Sequence, residues 1–206
     1  PKYMTIFEHE DYVLIKNNIQ SIYSLHDDLA LLLSTSGSTG SPKCVRQSYR
    51  NIESNTESIA RYLEIGEEDR AITTMPMNYT FGLSIINTHL IKGASIILTE
   101  ASLVNKTFWE VFKNNNATNL SGVPYIFEIL KKLRFNKMEL PSLKYITQAG
   151  GRLDRDLCTE FAHDCTQKGV KFYVMYGQAE ATARVSYLPW EQVQQKGGSI
   201  GLSIPD

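Results

Sequence analysis

Through most of the chain, short apolar runs alternate with longer segments whose apolar residues recur at helical spacing. The run Leu29–Leu33 is the first of these and is predicted to be a buried strand, and the segment after it places Ile52 and Ile59 on one helical face. Such alternation is typical of a mostly parallel sheet flanked by helices, because consecutive parallel strands need a helix-sized crossover between them. The pattern therefore predicts an α/β fold with its core in residues 28–206, whereas residues 1–27 fit neither period and form an ambiguous lead-in.

The same periodicity predicts where the other strands and helices lie. Strands are expected over the apolar runs Arg70–Met75, Ser95–Thr99, Lys144–Thr147, Val170–Met175 and Arg184–Tyr187. Helices are expected around Leu83–Ile91, Phe108–Phe112, Val123–Leu133 and Leu157–Cys165. Ser48 can cap the first helix, since serine accepts hydrogen bonds from helix N-termini. Gly66 and Gly169 are expected to end helices, because glycine adopts the left-handed conformation that often follows a helix.

Charge and hydropathy argue against two classes of partner. The chain has 21 basic and 22 acidic residues, a net charge of −1, and no basic run. Nucleic acids and membrane surfaces attract proteins through positive patches, so neither is expected as a main partner. No apolar segment approaches the ~20 residues that span a bilayer, and charged residues scattered near the beginning do not fit a signal peptide.

The cysteines and histidines indicate neither a disulfide framework nor a metal centre. Cys44, Cys158 and Cys165 are odd in number and form no CxxC pair. They are expected to be reduced, small apolar fillers in a cytoplasmic protein. The four histidines lie far apart and match no metal-ligand spacing.

The segment Ser34–Lys43, STSGSTGSPK, carries the most chemical information. It directly follows the first apolar run and combines hydroxyl residues with two glycines and one lysine. Glycines let backbone N–H groups turn toward an anion, hydroxyls add donors, and Lys43 adds a full charge. A polyphosphate is therefore the ligand that this loop fits best.

Two common nucleotide-binding patterns do not fit the loop. A P-loop needs GxxxxGK followed by Ser or Thr, whereas Pro42 precedes Lys43 here and Cys44 follows it. A dinucleotide fingerprint is also excluded, because no GxGxxG opens the next helix. The composition of the segment alone would also fit a flexible Ser/Gly linker instead of a phosphate-binding loop. However, linkers rarely lie between an apolar strand and a helix with clear apolar periodicity.

The loop resembles the phosphate loop of the adenylate-forming superfamily, which includes acyl-CoA synthetases, aryl-CoA ligases, luciferases and nonribosomal peptide adenylation domains. Residues 35–43 match the pattern Thr-Ser-Gly-Thr-Thr-Gly-x-Pro-Lys-Gly with one conservative change, and Cys44 replaces the last glycine. Three later segments resemble the acyl-pocket segment, the loop against the adenine and the Tyr-Gly-x-Thr-Glu motif, in the family's order: Pro76–Leu83, Ala149–Leu153 and Tyr176–Glu180. The resemblance implies the fold of the family's N-terminal subdomain.

The resemblance implies an acid–thiol ligase. Such an enzyme uses ATP to activate a carboxylic acid, acyl or aryl, as an acyl-adenylate, and then transfers the acyl group to a thiol such as CoA or a carrier pantetheine. The expected partners are a small-molecule acid and an acyl carrier. The stretch Tyr176–Pro189 further resembles a bacterial branch of acyl-CoA synthetase-like ligases.

By resemblance, the ATP, AMP and Mg²⁺ ligands come from three loops. The phosphates are assigned to Thr35, Ser36, Gly37, Ser38, Thr39, Gly40 and Lys43. Further nucleotide contacts are assigned to Ala149, Gly150, Gly151, Arg152, Tyr176, Gly177, Gln178, Ala179 and Glu180. The substrate pocket is assigned to Tyr79, Phe81, Gly82 and Tyr125. Lys43 and Glu180 are the expected catalytic residues, with the Glu180 carboxylate as the ligand of Mg²⁺, which prefers oxygen.

Besides Cys44, the chain departs from patterns found in the family at three positions. Ala179 replaces a threonine whose hydroxyl reaches the α-phosphate, a loss of about 1.5–3 kcal/mol for a hydrogen bond to a charged group. Tyr79 stands where a histidine is frequent. Gly82 stands where domains for α-amino acids carry an aspartate, and a substrate ammonium without that carboxylate would be buried unpaired. We therefore expect a plain acyl or aryl acid.

Two other functions stay open. Ala179 and Cys44 would also fit a degenerate, non-catalytic module that binds a nucleotide or an acyl-adenylate. A phosphotransferase of another kind could hold phosphate in the same loop by convergence. The resemblance also implies that residues 1–206 are part of an N-terminal domain, without the family's C-terminal domain, and that they do not turn over alone.

Overall fold

The computed structural model describes residues 3–9, 12–17, 24–34 and 44–205. The strands in these residues are β1 (Tyr3–His9), β2 (Tyr12–Asn17), β3 (Leu29–Ser34), β4 (Cys44–Ser48), β5 (Arg70–Ile72), β6 (Ser95–Ile97), β7 (Asn119–Gly122), β8 (Tyr145–Gln148), β9 (Lys171–Tyr176), β10 (Ser186–Leu188) and β11 (Leu202–Ser203). The helices are α1 (Tyr49–Tyr62), α2 (Thr80–Ile91), α3 (Lys106–Asn114), α4 (Pro124–Lys132), α5 (Arg155–Lys168) and α6 (Trp190–Lys196).

A seven-stranded sheet organises the molecule in the order β11-β10-β9-β8-β7-β5-β6. Five neighbouring strands run parallel to one another: β9, β8, β7, β5 and β6. β10 pairs antiparallel with β9, and β11 pairs antiparallel with β10 at the edge of the sheet. The prediction of an α/β fold with a mostly parallel, helix-flanked sheet is confirmed. Its parallel part follows from the helical crossovers between successive strands.

Two apolar clusters lie on opposite faces of this sheet. Ile146 of β8 and Phe172 of β9 belong to one cluster, whereas their neighbours Tyr145 and Tyr173 belong to the other. Successive side chains of a strand point to opposite faces, so the two clusters are separated by the sheet. The first cluster packs α3, α4 and α5 against the sheet, and the second packs α1 and α2.

The first predicted strand lies outside the main sheet. β3 pairs antiparallel with β4, a strand that the sequence pattern did not predict. Leu33 is buried, but Leu32 is 50% exposed, so the expectation of a fully buried strand was wrong. Periodicity could not reveal this arrangement, because an apolar run of this length looks the same in a hairpin as in a parallel sheet.

Two of the three helix boundaries predicted from serine and glycine are confirmed. Ser48 caps α1, and its side chain and that of Asn51 each accept a hydrogen bond from the other's backbone N–H. Gly169 ends α5 in the left-handed conformation, with φ 68°, as predicted. The prediction that Gly66 ends α1 was wrong, because the helix stops at Tyr62 and Glu64 takes the left-handed conformation instead, with φ 57°.

Strand β7 was missed because its sequence, Asn-Leu-Ser-Gly, is polar although the strand is buried. Its polar side chains find partners inside the protein: the hydroxyls of Ser121 and Thr147 are 2.8 Å apart, and the amide of Asn119 lies 3.0 Å from Nε2 of His89. Buried polar groups paired in this way cost little, but they leave no apolar pattern to detect.

The cysteines differ in their surroundings. Cys158 and Cys165 are buried in the core, and burial raises the pKa of their thiols to about 11 and about 12. Cys44 is exposed at the beginning of β4, so the expectation of an apolar filler was wrong there. No helix in the described part of the chain has the length and apolar character to cross a membrane.

Candidate active site

A cavity of about 640 Å³ opens at the carboxyl ends of β8 and β9. Gly150, Gly151 and Arg152 line it after β8, and Tyr176 and Gly177 line it where β9 ends. The residues that close it on other sides include Leu153, Cys158, Met175, Gly198, Ser199 and Ile200. Ligands of parallel sheets bind outside the carboxyl ends of the strands, so the cavity has the position expected of a binding site.

Gly150 allows the segment before α2 to approach this cavity. Its φ is +77°, and a Cβ added to it would lie 2.5 Å from the hydroxyl oxygen of Tyr79. Gly151 is similarly close to the Pro124 ring, with 3.1 Å between an added Cβ and Cγ. A side chain at Gly150 would therefore be strained and would collide, which explains two consecutive small residues here.

Gly177 begins a tight turn that carries Glu180. A Cβ at Gly177 would overlap the carbonyl oxygen of Ala183, so the turn folds back on the glycine. Within it, Thr182 has φ 68° and ψ −59°, and the N–H of Ala183 donates to the Ala181 carbonyl at 2.8 Å. This is a γ-turn of the strained kind, a conformation that persists only where surrounding contacts hold it.

Gln47 of β4 holds that turn from the side. Its buried side-chain amide donates to the carbonyl of Ala179 at 2.8 Å and to that of Thr182 at 3.3 Å. β4 begins at Cys44, directly after Lys43 in the sequence, so Gln47 joins the strand that follows the glycine loop to the turn with Glu180. The sequence analysis missed Gln47 because its partners are backbone atoms 132 and 135 positions away, which no local pattern marks.

The predicted nucleotide-binding residues are thus only partly brought together. The cavity collects Gly150, Gly151, Arg152, Tyr176 and Gly177. Ala149 is buried and is not among the residues that line the cavity, and Gln178, Ala179 and Glu180 continue along the turn, with Glu180 exposed. The residues assigned to the phosphates lie outside the described part: Thr35, Ser36, Gly37, Ser38, Thr39, Gly40 and Lys43.

The residues predicted for the substrate pocket are spread over different environments. Tyr79 borders the cavity through Gly150, whereas Phe81 is buried in the core cluster of α1 and α2. Gly82 packs against backbone, because an added Cβ would overlap the Pro76 carbonyl oxygen. Tyr125 is 63% exposed in the first turn of α4. Only Tyr79 among these four therefore has a described contact with the glycine pair.

The observed loops fit a nucleotide. Glycines 150 and 151 leave room for a flat base, and the Tyr176 ring, 42% exposed, offers an apolar face on the same cavity. The exposed carboxylate of Glu180 is a suitable oxygen ligand for Mg²⁺.

Residues 8–206 match the family of AMP-binding enzymes. The chain belongs to this family. The family match confirms the resemblance to adenylate-forming enzymes that the motifs predicted, and it extends over the whole described sheet.

Individual members of the AMP-binding enzymes with known activities are moderately similar. A feruloyl-CoA synthase from Amycolatopsis is 28% identical over 85% of this chain and 35% of its own length. The 2-succinylbenzoate–CoA ligase of Bacillus subtilis is 29% identical over 88% of this chain and 36% of its own. An oxalate–CoA ligase of Arabidopsis thaliana is 29% identical over 86% and 35%. The chain thus spans about a third of the length of these curated relatives.

Solved structures with the same fold include enzyme complexes with nucleotides. O-succinylbenzoate CoA synthetase from Bacillus subtilis in complex with AMP has a TM-score of 0.75 and 28% identity, over 86% of this chain and 36% of that one. The same enzyme with ATP and magnesium ion has a TM-score of 0.73 and 28% identity, over 84% and 35%. VinN in complex with L-aspartate has a TM-score of 0.74 and 27% identity, over 90% and 46%.

Proposed function

We propose that the protein containing this chain is an acid–thiol ligase that activates an acyl or aryl carboxylic acid with ATP. The acid forms an acyl-adenylate with release of pyrophosphate, and a thiol then displaces AMP. CoA is the proposed acceptor, since several relatives are CoA ligases by name, and a carrier pantetheine is a second proposed acceptor. We also propose that residues 1–206 are part of the nucleotide-binding N-terminal domain of a cytoplasmic, bacterial enzyme.

The observation that carries the proposal is the shared cavity at the ends of β8 and β9. Two glycines from one loop and an exposed tyrosine from the next line the same 640 Å³ space, at the edge where parallel sheets bind ligands. These are residues that the family motifs assign to the adenine, and they line one cavity. Arg152 adds a positive charge to the same wall.

The chain's own residues have distinct proposed tasks. Tyr176 covers one face of the base, and Gly150 and Gly151 allow the base to approach the backbone. Glu180 holds Mg²⁺, and Lys43 neutralises the phosphates. Nucleotidyl transfer is catalysed mainly by positioning the reactants and stabilising charge. Residues that bind the nucleotide and neutralise its phosphates are therefore the kind of residue that this reaction needs.

Acid-dependent exchange of pyrophosphate into ATP tests the proposal in the full-length protein. We expect exchange with at least one acyl or aryl acid and a loss of about 100-fold or more in Glu180→Gln, equivalent to about 2.7 kcal/mol of barrier. Glu68→Gln, which changes an exposed glutamate elsewhere, is the matched control and should keep the rate. Absence of exchange with every acid, together with unimpaired ATP binding, would contradict the ligase.

A non-catalytic binding module is the second candidate function, and Ala179 favours it. The Ala179 side chain has no donor for the α-phosphate, although its carbonyl is held by Gln47 as part of the turn. Ala179→Thr in the full-length protein separates the two functions. A working ligase adapted to alanine should change its exchange rate by less than about tenfold, or 1.4 kcal/mol, whereas a decayed active site should gain more.

A further inference from the structure

A buried cation lies behind the candidate active site. Arg184 follows the turn with Glu180 and is 4% exposed. Its guanidinium carbon lies 4.3 Å from the centre of the Phe81 ring, and its Nη1 donates to the Ala183 carbonyl at 3.2 Å. Its Nε donates to the sulfur of Met175 at 3.4 Å. The side chain is thus enclosed by an aromatic ring, a thioether and a backbone carbonyl.

None of these neighbours is an anion. The five ion pairs formed by the described residues do not include Arg184. The Tyr62 hydroxyl donates to the same Met175 sulfur at 2.9 Å, and burial raises the pKa of its phenol to about 12, so it is neutral at pH 7. Burial also lowers the pKa of Arg184, yet arginine stays protonated in proteins. The chain therefore buries a full positive charge that only neutral groups surround in the described part.

Such a charge is unfavourable unless an anion compensates it. Cation–π contact and hydrogen bonds to a carbonyl recover part of the lost hydration, whereas a carboxylate recovers more through two parallel charged hydrogen bonds. An arginine kept in this environment is therefore a good receptor for a carboxylate that arrives from a ligand.

The position of Arg184 indicates which ligand could supply the anion. Met175 lines the 640 Å³ cavity on one side and accepts the hydrogen bond from Arg184 on the other. Phe81 and the nearby Tyr79 belong to the segment assigned to the acid, and the Tyr79 hydroxyl lies against Gly150. Arg184 is therefore separated from the cavity by an unbranched, flexible side chain, and it lies on the acid's side of the site.

We propose that Arg184 binds a second anionic group of the substrate, so that the preferred acid is a dicarboxylate rather than a simple fatty or aryl acid. One carboxylate reacts at the nucleotide, and the other, at the far end of the acid, pairs with the guanidinium. This inference rests on the proposed function, because it assigns the substrate of that same site. It makes Arg184 a substrate-binding residue that the sequence motifs do not mark.

Matched acids test the proposal in the full-length wild-type protein. Aliphatic and aromatic dicarboxylic acids are each compared with their own monomethyl ester in acid-dependent pyrophosphate exchange. Esterification removes the second charge and keeps the reacting carboxylate. We expect the best diacid to exceed its ester by about 10-fold to 100-fold in kcat/KM, as a hydrogen bond to a charged group predicts.

Variants test whether Arg184 causes the preference for a diacid over its monomethyl ester. In Arg184→Met the loss of kcat/KM should be about 10-fold or more greater for the diacid than for its ester, so that the advantage of the diacid over its ester disappears. Arg184→Lys keeps the charge and should keep part of the advantage. Lys132→Met, which removes an exposed charge on α4, is the control and should keep all of it. Thermal unfolding of each variant shows whether it is folded.

Three results would overturn the inference in distinguishable ways. Wild-type protein that uses the monoester as well as the diacid refutes the second-anion site and leaves the ligase intact. Equal losses with diacid and ester in Arg184→Met indicate that Arg184 has only a structural role, and this result refutes the second-anion site. No exchange with any acid refutes the proposed function together with this inference.

Discussion

The side-chain amide of Gln47 donates a 2.8 Å hydrogen bond to the backbone carbonyl of Ala179. This bond connects the strand that leaves the glycine loop with the turn that presents Glu180. The same amide reaches the Thr182 carbonyl at 3.3 Å, so one buried side chain contacts the turn at two carbonyls. Strand β4 and the turn with Glu180, which are distant in sequence, are therefore joined directly.

Gln47→Leu should lower kcat/KM for MgATP more than it changes KM for the acid. The leucine cannot donate, so two carbonyls lose their partner in a buried place, at about 1–3 kcal/mol for such a group. In the full-length protein we expect kcat/KM for MgATP to fall about tenfold or more, with a change below about threefold in KM for the acid. Gln194→Leu, an exposed position of α6, is the control. Equal effects on both substrates would indicate general destabilisation instead.

Gly150→Ala should weaken nucleotide binding because the new methyl group meets the Tyr79 hydroxyl. An alanine at positive φ costs about 1 kcal/mol in addition to the collision. Titration of the full-length protein with ATP should show a Kd raised by about tenfold or more. Gly66→Ala is the matched control, since an added Cβ there has no neighbour within 4 Å.

A second change can separate collision from backbone strain at this position. Tyr79→Phe removes the hydroxyl oxygen that lies 2.5 Å from the added Cβ. The double variant Gly150→Ala with Tyr79→Phe should therefore bind ATP more tightly than Gly150→Ala alone. If it does not, the loss comes from the positive φ and the close approach of Tyr79 has no energetic role.

Cys44 should report on occupancy of the glycine loop. Its thiol is exposed directly after Lys43, whereas burial raises the pKa of the Cys158 and Cys165 thiols. Because the thiolate is the reactive form, iodoacetamide at pH 8 should modify Cys44 first. MgATP should slow that reaction if the loop holds phosphates. Peptide mapping by mass spectrometry measures each thiol, and an unchanged Cys44 rate at saturating MgATP would contradict the phosphate assignment.

The Asp69–Lys144 pair should make stability depend on pH in the acidic range. Burial raises the pKa of the Asp69 carboxyl, but hydrogen bonds from the Gly66 N–H and from the Lys144 ammonium at 2.9 Å outweigh it, so the net pKa is lowered. A carboxyl with a lowered folded pKa stabilises the protein above its unfolded pKa. That contribution is lost as the pH falls through the folded value.

Asp69→Asn should therefore destabilise the protein by about 1–3 kcal/mol at neutral pH and by progressively less in acid. Urea unfolding at pH 7 and at about pH 3 measures both differences. Glu68→Gln, an exposed neighbour, should show little effect at either pH. A pH-independent difference between Asp69→Asn and wild type would show that charge is not the cause.

The amino-acid sequence by itself determined the fold class, the helices with clear apolar periodicity, the start of α1 at Ser48 and the end of α5 at Gly169. It also determined the family, because a motif such as Tyr176–Glu180 consists of consecutive residues and can be recognised in the sequence without the tertiary structure. Leu157, Phe161 and Cys165 illustrate the reason: a residue's spacing from its neighbours decides which face of a helix is buried, and that information is local.

Only the tertiary structure decided which distant groups meet. Strand β7 is polar, and its place in the sheet depends on partners such as Thr147 and His89 that lie elsewhere in the chain. Gln47 and Arg184 look like ordinary surface residues in the sequence, yet folding buries both beside the candidate active site. Their roles come from backbone carbonyls and a ring more than a hundred positions away, and such contacts leave no periodic trace in a single sequence.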